Sequence, residues 1–220
     1  TTVSLGQTAT EILYSLDLAD KVAGTGVWFS DVLPEFAEVN AKVERLADND
    51  PSFESIVAKR PDVVIAQYEW HVGPQGIVAT REQFGDLGIA TYILPTDCVG
   101  KDNTVGSDGT RLEPFTTEVL YDTITELGWI FDVQDKAGGL VADLRAREAS
   151  AREKVAAMKI DDISAAFWFS SPELDLDPYV AGRKGAPGYI LRVLGEAERR
   201  AAQISRTRGP SLARIEDLDG

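Results

Sequence analysis

The sequence predicts an α/β protein with two lobes, each on a parallel sheet, joined by a long α-helix, the second lobe incomplete. Short apolar runs alternate with helical patterns in the first half of the chain. The longest helical pattern follows, and a second alternation of strand and helix begins after it. We therefore expect a first lobe at 1–112, a helical connector at 113–158, and the start of a second lobe at 159–220 that is too short to close a sheet on its own.

The first lobe is expected to alternate four short strands with helices. Apolar runs predict strands over 3–5, 22–25, 63–66 and 91–94, and helical spacing predicts helices over 8–18, 51–58 and 76–87. Thr8 or Thr10 is expected to cap the first helix and Ser52 the second. Because the run at 63–66 is continuously apolar, it is typical of a strand covered on both faces.

Beyond residue 94 the pattern changes. Residues 95–112 are rich in Gly, Asp, Asn and Thr without periodicity, which predicts a long, functional loop. The helical pattern from 114 to 158 is interrupted near Gly128 and again over 132–139. A strand over 163–169 and a helix over 188–194 open the second lobe. Five arginines between positions 199 and 214 predict a solvated surface segment, with a basic functional arm as the alternative.

Composition excludes several classes of function. The chain has 220 residues and a formal net charge of −14, which argues against nucleic acid and anionic membrane surfaces as partners. Its one cysteine, Cys98, excludes an internal disulfide and a cysteine-based zinc site, and we expect it to be a half-buried loop thiol. No run of eighteen apolar residues occurs. A dinucleotide-binding motif G-x-G-x-x-G that began at Gly24 and Gly26 would need a third glycine at position 29. Phe29 stands there instead, so a nucleotide-binding enzyme is disfavoured.

Aromatic and polar residues gather just after the predicted strands. Ligands meet an open parallel sheet at the carboxyl ends of its strands, so these residues are candidates for a binding site. Flat aromatic faces suit large, flat ligands, and packing in the core or between lobes is the alternative role. The candidates are Trp28, Phe29, Tyr68, Trp70, His71 and Asp97 in the first lobe, and Trp168, Tyr179 and Arg183 in the second.

Two of these candidates carry specific chemistry. His71 is the only histidine, and direct metal ligation, a hydrogen bond in the cleft and a surface position all stay open for it. Without a second histidine or a nearby cysteine, no dedicated metal cage is expected. Arg183 is the preferred anchor for an anionic ligand, because a guanidinium forks onto carboxylate or catecholate oxygens and the flanking glycines allow close approach.

Four segments resemble the periplasmic substrate-binding proteins that serve ABC importers of iron siderophores, haem and cobalamin. They are ATEILYSLDLADKVAGTGVWFSD, PSFESIVAKRPDVVIA, LGIATYILPTD and DPYVAGRKGAPGYILRVLG. The combination of Thr10 and Glu11 with FESIVAKRPDVVIA is the most specific, and the resemblance covers roughly residues 3–195. It implies two Rossmann-like lobes joined by one long helix, with the ligand in the cleft between them. After Gly195 the family's Asn-containing turn, Trp-Pro segment and Glu-bearing helix are replaced by the arginine-rich stretch, so the second lobe is expected to be truncated or altered after about residue 195.

The resemblance also implies a function. The protein is expected to be an extracytoplasmic receptor, monomeric, without catalysis or a resident cofactor, that delivers an iron complex to a membrane permease. A ferric siderophore is the first choice of ligand, with haem and cobalamin open. Glu54 matches the family's glutamate that pairs with permease arginines, and Glu216 is the weak candidate for its second-lobe counterpart. The alternatives are a chelatase- or nitrogenase-like enzyme, for which one histidine and one cysteine make a poor catalytic set, and a ligand-binding sensor.

Overall fold

A parallel sheet of five strands forms the centre of the first part of the molecule. The computed structural model describes residues 1–106, 109–158, 168–170, 179–180 and 182–193. The strands are β1 (Thr2–Leu5), β2 (Val22–Gly26), β3 (Arg45–Ala47), β4 (Val63–Ala66) and β5 (Ala90–Ile93). Their order across the sheet is β3-β2-β1-β4-β5, and all four pairings are parallel. The carboxyl ends of the strands therefore lie along one edge of the sheet.

Helices connect these strands. They are α1 (Gln7–Ser15), α2 (Ala37–Asn40), α3 (Phe53–Val57), α4 (Glu69–Val72), α5 (Arg81–Asp86) and α6 (Pro95–Cys98), with 3-10 turns at Ala19–Lys21 and Pro34–Phe36. Two short paired strands follow, β6 (Lys101–Asp102) and β7 (Thr110–Arg111), and then α7 (Thr117–Ile130) and α8 (Gln134–Met158). The predicted loop at 95–112 thus contains one helical turn and a small two-stranded sheet.

Helices cover the sheet on both faces. On one face, Val3, Leu5, Val64 and Ala66 pack in a core with residues of α3, α4 and α5, such as Phe84. The other face is joined to α1 by the hydrogen bond from Thr10 Oγ1 to Ser4 Oγ (2.9 Å) and to α7 by the one from Tyr92 Oη to Glu126 Oε2 (2.6 Å). Val64, Ile65 and Ala66 have no exposed surface, so the prediction of a strand covered on both faces is confirmed.

The prediction for the cap of α1 is wrong. Gly6 precedes the helix, and Thr10 is directed to Ser4 instead of to the helix end. The Thr8 amide donates to Gln67 Oε1 (2.9 Å), so the cap comes from a residue after β4. Gly6 has φ 118°, and a Cβ at this position would lie 2.2 Å from the Gln67 Cβ. Only glycine fits here, because both the backbone angle and the close approach exclude a side chain.

The cap of α3 agrees with the prediction, whereas the break before α8 differs from it. Ser52 caps α3 as expected, since its Oγ accepts from the Ser55 amide at 3.2 Å. The break predicted near Gly128 is wrong, because α7 continues through this residue to Ile130. The second break is shorter than the predicted 132–139: Asp132 adopts φ 57° between α7 and α8, and α8 runs unbroken through Gly138 and Gly139.

The chain divides into two compact units. The first contains Thr1–Thr110 and Glu118–Ala142, and the second contains Arg111–Thr117 and Asp143–Gly220. Within the second, β8 (Trp168–Ser170) and β9 (Tyr179–Val180) pair antiparallel, and α9 (Ala186–Val193) follows. Glu148 of α8 accepts hydrogen bonds from Thr117 Oγ1 (2.7 Å) and Tyr189 Oη (2.6 Å). A parallel sheet in the second lobe and boundaries at 112 and 158 stay predictions.

Some predictions fall outside the described residues: the start of the strand at 163–167, the arginine-rich stretch at 199–214, and Glu216. Among the helices that the structure describes, none combines the length and apolarity needed to cross a bilayer.

Candidate functional site

A groove of about 660 Å3 opens in the first unit beside the carboxyl ends of β2, β4 and β5. This volume falls in the range of small-molecule binding sites. Phe29 follows β2, Tyr68 follows β4 and Asp97 follows β5, so connections after three strands build the walls. The lining residues are Phe29, Tyr68, Trp70, Gln75, Ile77, Asp97, Lys101, Asn103, Gly106 and Gly109.

Three aromatic side chains form the apolar wall of the groove. Phe29 is 68% exposed and Trp70 is 45% exposed, although both are large and apolar. The Phe29 and Tyr68 rings meet edge to face with centroids 6.3 Å apart. This wall leaves apolar area in contact with water. A ligand that covers it would therefore gain binding free energy from the hydrophobic effect, at about 25 cal/mol per Å2 of apolar area.

Asp97 and Lys101 form a polar floor. Lys101 Nζ lies 2.5 Å from Asp97 Oδ1, and the two side chains are only 14% and 10% exposed. Asp97 Oδ2 accepts from the Glu69 amide (2.8 Å) at the first residue of α4. Asn103 Nδ2 donates to Glu69 Oε2 (2.6 Å) and to the Asp97 carbonyl (2.8 Å). These bonds fix α4, which carries Trp70, against the turn that follows β5.

His71 lies behind the aromatic wall and has no exposed surface. Its Nε2 is 2.9 Å from Asp50 Oδ1 and its Nδ1 is 3.3 Å from the Tyr68 carbonyl oxygen. Its ring also contacts those of Tyr68 and Trp70, with centroids 5.8 and 5.2 Å away. Burial lowers the pKa of His71 below its ordinary value, although the Asp50 carboxylate acts in the opposite direction. His71 is therefore neutral, and its ring supports those of Tyr68 and Trp70, which line the groove.

Two further groups near the groove have raised pKa values. Burial, followed by the charge of Asp97, raises the pKa of the Tyr68 phenol. Cys98 is an exposed residue at the end of α6 and not the predicted half-buried loop thiol. Desolvation of its thiol, with Glu69 and Asp97 nearby, raises the pKa to about 11, so a reactive thiolate is disfavoured. In the described part of the chain, no group of three His, Cys, Asp or Glu side chains comes together in a way that could hold a metal ion.

A strained residue directs the chain from β2 into the groove. Val27 has φ 66°, a region that β-branched residues rarely adopt, and this costs on the order of 1–3 kcal/mol. The next residue, Trp28, is 6% exposed; its indole donates to Thr25 Oγ1 (3.2 Å), and the Arg45 guanidinium lies 4.8 Å above its ring. After this fixed turn, Phe29 is the residue that lines the groove.

The predicted site residues have different locations. Phe29, Tyr68, Trp70 and Asp97 line the groove, whereas His71 and Trp28 are buried and are not among its lining residues. Glu54 is exposed in the first turn of α3.

In the second unit, Trp168 lies in β8 and Tyr179 in β9, while half-buried Arg183 follows Gly182 in a turn. A Cβ on Gly188 would lie 2.1 Å from the Arg183 carbonyl oxygen, so Gly188 is the glycine that this turn requires. The binding roles of all these residues stay predictions.

The sequence reasoning missed Lys101, Asn103, Gln75 and Ile77 as lining residues. Lys101 follows Asp97 by four positions, and an acid and a base at this spacing are a recognisable signal for an ion pair. The i, i+4 pair was not recognised because residues 95–112 lack helical periodicity and were predicted to be a loop.

Comparison with known proteins identifies the family. A family model described as periplasmic binding protein matches residues 2–208. The chain belongs to the periplasmic binding protein family. The resemblance of the four sequence segments is thereby confirmed. Because members of this family are solute-binding proteins, the alternative of a chelatase- or nitrogenase-like enzyme is not retained.

Individual relatives of this periplasmic binding protein agree. The uncharacterized ABC transporter substrate-binding lipoprotein YvrC of Bacillus subtilis strain 168 is 28% identical over 193 residues, which are 87% of this chain and 52% of YvrC. The structure of an ABC-type Fe3+-hydroxamate transport system from Saccharomonospora viridis is 28% identical, with TM-score 0.54 over 70% of this chain and 50% of that one. A periplasmic binding protein from Veillonella parvula gives TM-score 0.68 at 24% identity, over 89% of this chain and 58% of that one. The chain thus spans about half the length of these relatives.

Proposed function

We propose that this chain is the substrate-binding part of an ABC importer and that it binds an iron complex. A ferric siderophore is the first choice among such complexes. The groove with its three aromatic residues is the observation that carries the proposal. It lies where ligands bind open parallel sheets, and its volume of about 660 Å3 suits a small molecule.

The chemistry of the groove fits an iron chelate better than a small polar solute. A sugar or an amino acid needs many polar partners, whereas Phe29, Tyr68, Trp70 and Ile77 offer apolar surface. A siderophore wraps the ferric ion in its own ligands, so the protein has no need of metal-ligating side chains. Apolar and aromatic contact area, with a few polar groups for orientation, is what such a ligand requires.

The relatives support the transport role. YvrC is described as an ABC transporter substrate-binding lipoprotein, and the Saccharomonospora viridis protein as part of an Fe3+-hydroxamate transport system. By the same reasoning we place this chain outside the cytoplasm and give it a membrane permease as partner. Glu54, which is exposed on α3, is the proposed docking residue of the first unit.

The test is a binding measurement on the purified chain. Ferrichrome, ferrioxamine B, haemin and cobalamin are titrated by calorimetry, with the iron-free siderophores as controls. We expect at least one iron complex to bind with a Kd of about 1 μM or tighter and to raise the Tm. At a free ligand concentration of 100 times Kd, the gain in unfolding free energy is about 2.7 kcal/mol. If no iron complex changes heat or Tm at about 100 μM, the proposed function is wrong.

A further inference from the structure

We infer that the Asp97–Lys101 pair makes the groove selective for the charge of its ligand, so that it takes neutral or cationic ferric hydroxamates and rejects polyanionic chelates. The inference rests on the proposed function and names the class of ligand within it. It concerns which iron complex the groove accepts, whereas the proposed function requires only that some iron complex is bound.

The first observation is that the cation of the groove is already neutralised. Lys101 is the only Lys or Arg among the described residues that line it. Its ammonium lies 2.5 Å from the Asp97 carboxylate, and both side chains are largely buried. Because water screens such a pair poorly, Lys101 has little attraction left for an anion. An anionic ligand would have to separate the pair or remain uncompensated by the residues that line the groove.

The second observation is a surplus of negative charge around this pair. Asn103 holds the Glu69 carboxylate by a hydrogen bond of 2.6 Å and also contacts the Asp97 carbonyl, so Glu69 belongs to the same cluster. Two carboxylates and one ammonium leave the cluster with a negative balance. The whole chain carries a formal charge of −14, which repels anions at long range as well.

The charge of the ferric complex then decides between siderophore classes. Each hydroxamate loses one proton when it binds iron, so a ferric trihydroxamate is neutral, and a pendant amine makes it cationic. Each catecholate loses two protons, so a ferric tris-catecholate is a trianion. Haem carries two propionates. Of these complexes, only the ferric hydroxamates match a groove whose charged cluster already has a negative balance, and a pendant ammonium would gain further from the aromatic faces of Tyr68 and Trp70.

The experiment compares two probes of different charge on three forms of the chain. Ferrioxamine B is cationic and ferric enterobactin is trianionic, and their Kd values are measured on the wild type, Asp97→Asn and Lys101→Met. We expect the wild type to prefer ferrioxamine B by at least about tenfold, since a charge at such short range and partial burial contributes several RT. Asp97→Asn should shift this ratio toward enterobactin by at least about tenfold, and Lys101→Met should shift it the other way.

In Asp97→Asn, the asparagine keeps an oxygen that can accept the hydrogen bond from the Glu69 amide, and Lys101→Met does not change that bond. One variant therefore stays informative if the other folds poorly. Glu38→Gln is the matched control, because it removes the same charge from an exposed ion pair with Lys42 outside the groove lining.

The outcomes separate the two proposals. A wild type that binds ferric enterobactin as tightly as ferrioxamine B overturns the charge selectivity but keeps the proposed function. Equal shifts by Asp97→Asn and Glu38→Gln overturn the role of the ion pair. If neither complex binds to the wild type, the inference fails, and the proposed function fails with it only if ferrichrome and haemin do not bind either.

Discussion

At the scale of single residues, the groove depends on a buried histidine that does not line it. His71 contacts the rings of both Tyr68 and Trp70 and is bonded to Asp50 on its far side. Because it has no contact with water, its neutral form is favoured in the folded state. It is also the only histidine of the chain, so its titration can be observed without interference from another.

This leads to a prediction about stability and pH. The pKa of His71 is lowered in the folded state, while in the unfolded state it is about 6.5, so the unfolded chain binds the proton more readily. The contribution of His71 is therefore complete above about pH 6.5 and decreases as the pH falls from there toward the folded-state pKa, by at most about 1.4 kcal/mol per pH unit. Urea unfolding of the wild type and His71→Gln at pH 7.5 and 5.5 measures this.

The variant removes the titrating group and a hydrogen bond, so it should be less stable at both values of pH. The readout is the difference between the two slopes: the wild type should lose more stability on acidification than His71→Gln. Parallel slopes would show that burial of this imidazole has no energetic coupling to its protonation.

At the scale of elements, α1 and β4 are held together at the edge of the sheet where the groove opens. Gln67, which follows β4, accepts from the Thr8 amide and donates to Tyr68 Oη at 2.8 Å. Gly6 allows this approach with φ 118°. The connection after β1 and the aromatic wall after β4 therefore share one side chain, and a change at Gly6 should disturb both.

Gly6→Ala should destabilise the protein by about 2–4 kcal/mol, because the added Cβ meets Gln67 and the backbone angle is unfavourable for alanine. Gly85→Ala is the matched control. Gly85 lies in α5 with nothing within 4 Å of an added Cβ, so alanine should stabilise by about 0.5–1 kcal/mol. The two urea midpoints should move in opposite directions. A similar midpoint for both variants would mean that the Gly6–Gln67 approach does not constrain the fold.

The elements that could be predicted from the sequence are those whose signal is local. The apolar run of β4 gave its bounds, and Ser52 capped α3 as predicted, because both depend on neighbours in the chain. The strand β3 has only three residues, too few for a periodic signal. The cap of α1 was mispredicted because Gln67 is 59 residues away from Thr8, a contact that no local pattern contains.

The same distinction holds for the candidate site. Phe29, Tyr68, Trp70 and Asp97 were predicted because they follow strands, and the carboxyl ends of parallel strands converge. Burial of His71 and Trp28 could not be predicted, since it depends on contacts with Asp50, which follows β3, and with Arg45, which lies in β3.

At the scale of the whole molecule, substitution of Glu54 should distinguish docking on the proposed permease from ligand binding. It occupies the second position of α3 behind the cap Ser52, and Glu82 occupies the second position of α5 behind the cap Thr80. Both glutamates gain the same 0.3–1 kcal/mol or so from the helix dipole, so Glu54→Gln and Glu82→Gln should have similar small effects on stability. Only Glu54→Gln should weaken binding to the permease, with the Kd for the iron complex unchanged.

The measurement is ligand uptake, or binding to the permease in detergent, alongside ligand calorimetry. Equal loss of permease binding in both variants would remove the special role of Glu54. A loss of ligand affinity in Glu54→Gln alone would place this residue in the binding site instead.

The central claim is that an iron complex binds against the aromatic wall of the groove, and the Kd of Trp70→Ala tests it most directly. Trp70 is 45% exposed, so its removal should cost little stability but about 1–3 kcal/mol of binding, up to roughly a hundredfold in Kd. Trp129→Ala is the control, because Trp129 lies on α7, is 66% exposed and does not line the groove. Calorimetry with the bound iron complex should show weaker binding for Trp70→Ala alone. A wild-type Kd in Trp70→Ala, or an equal loss in Trp129→Ala, would contradict the account.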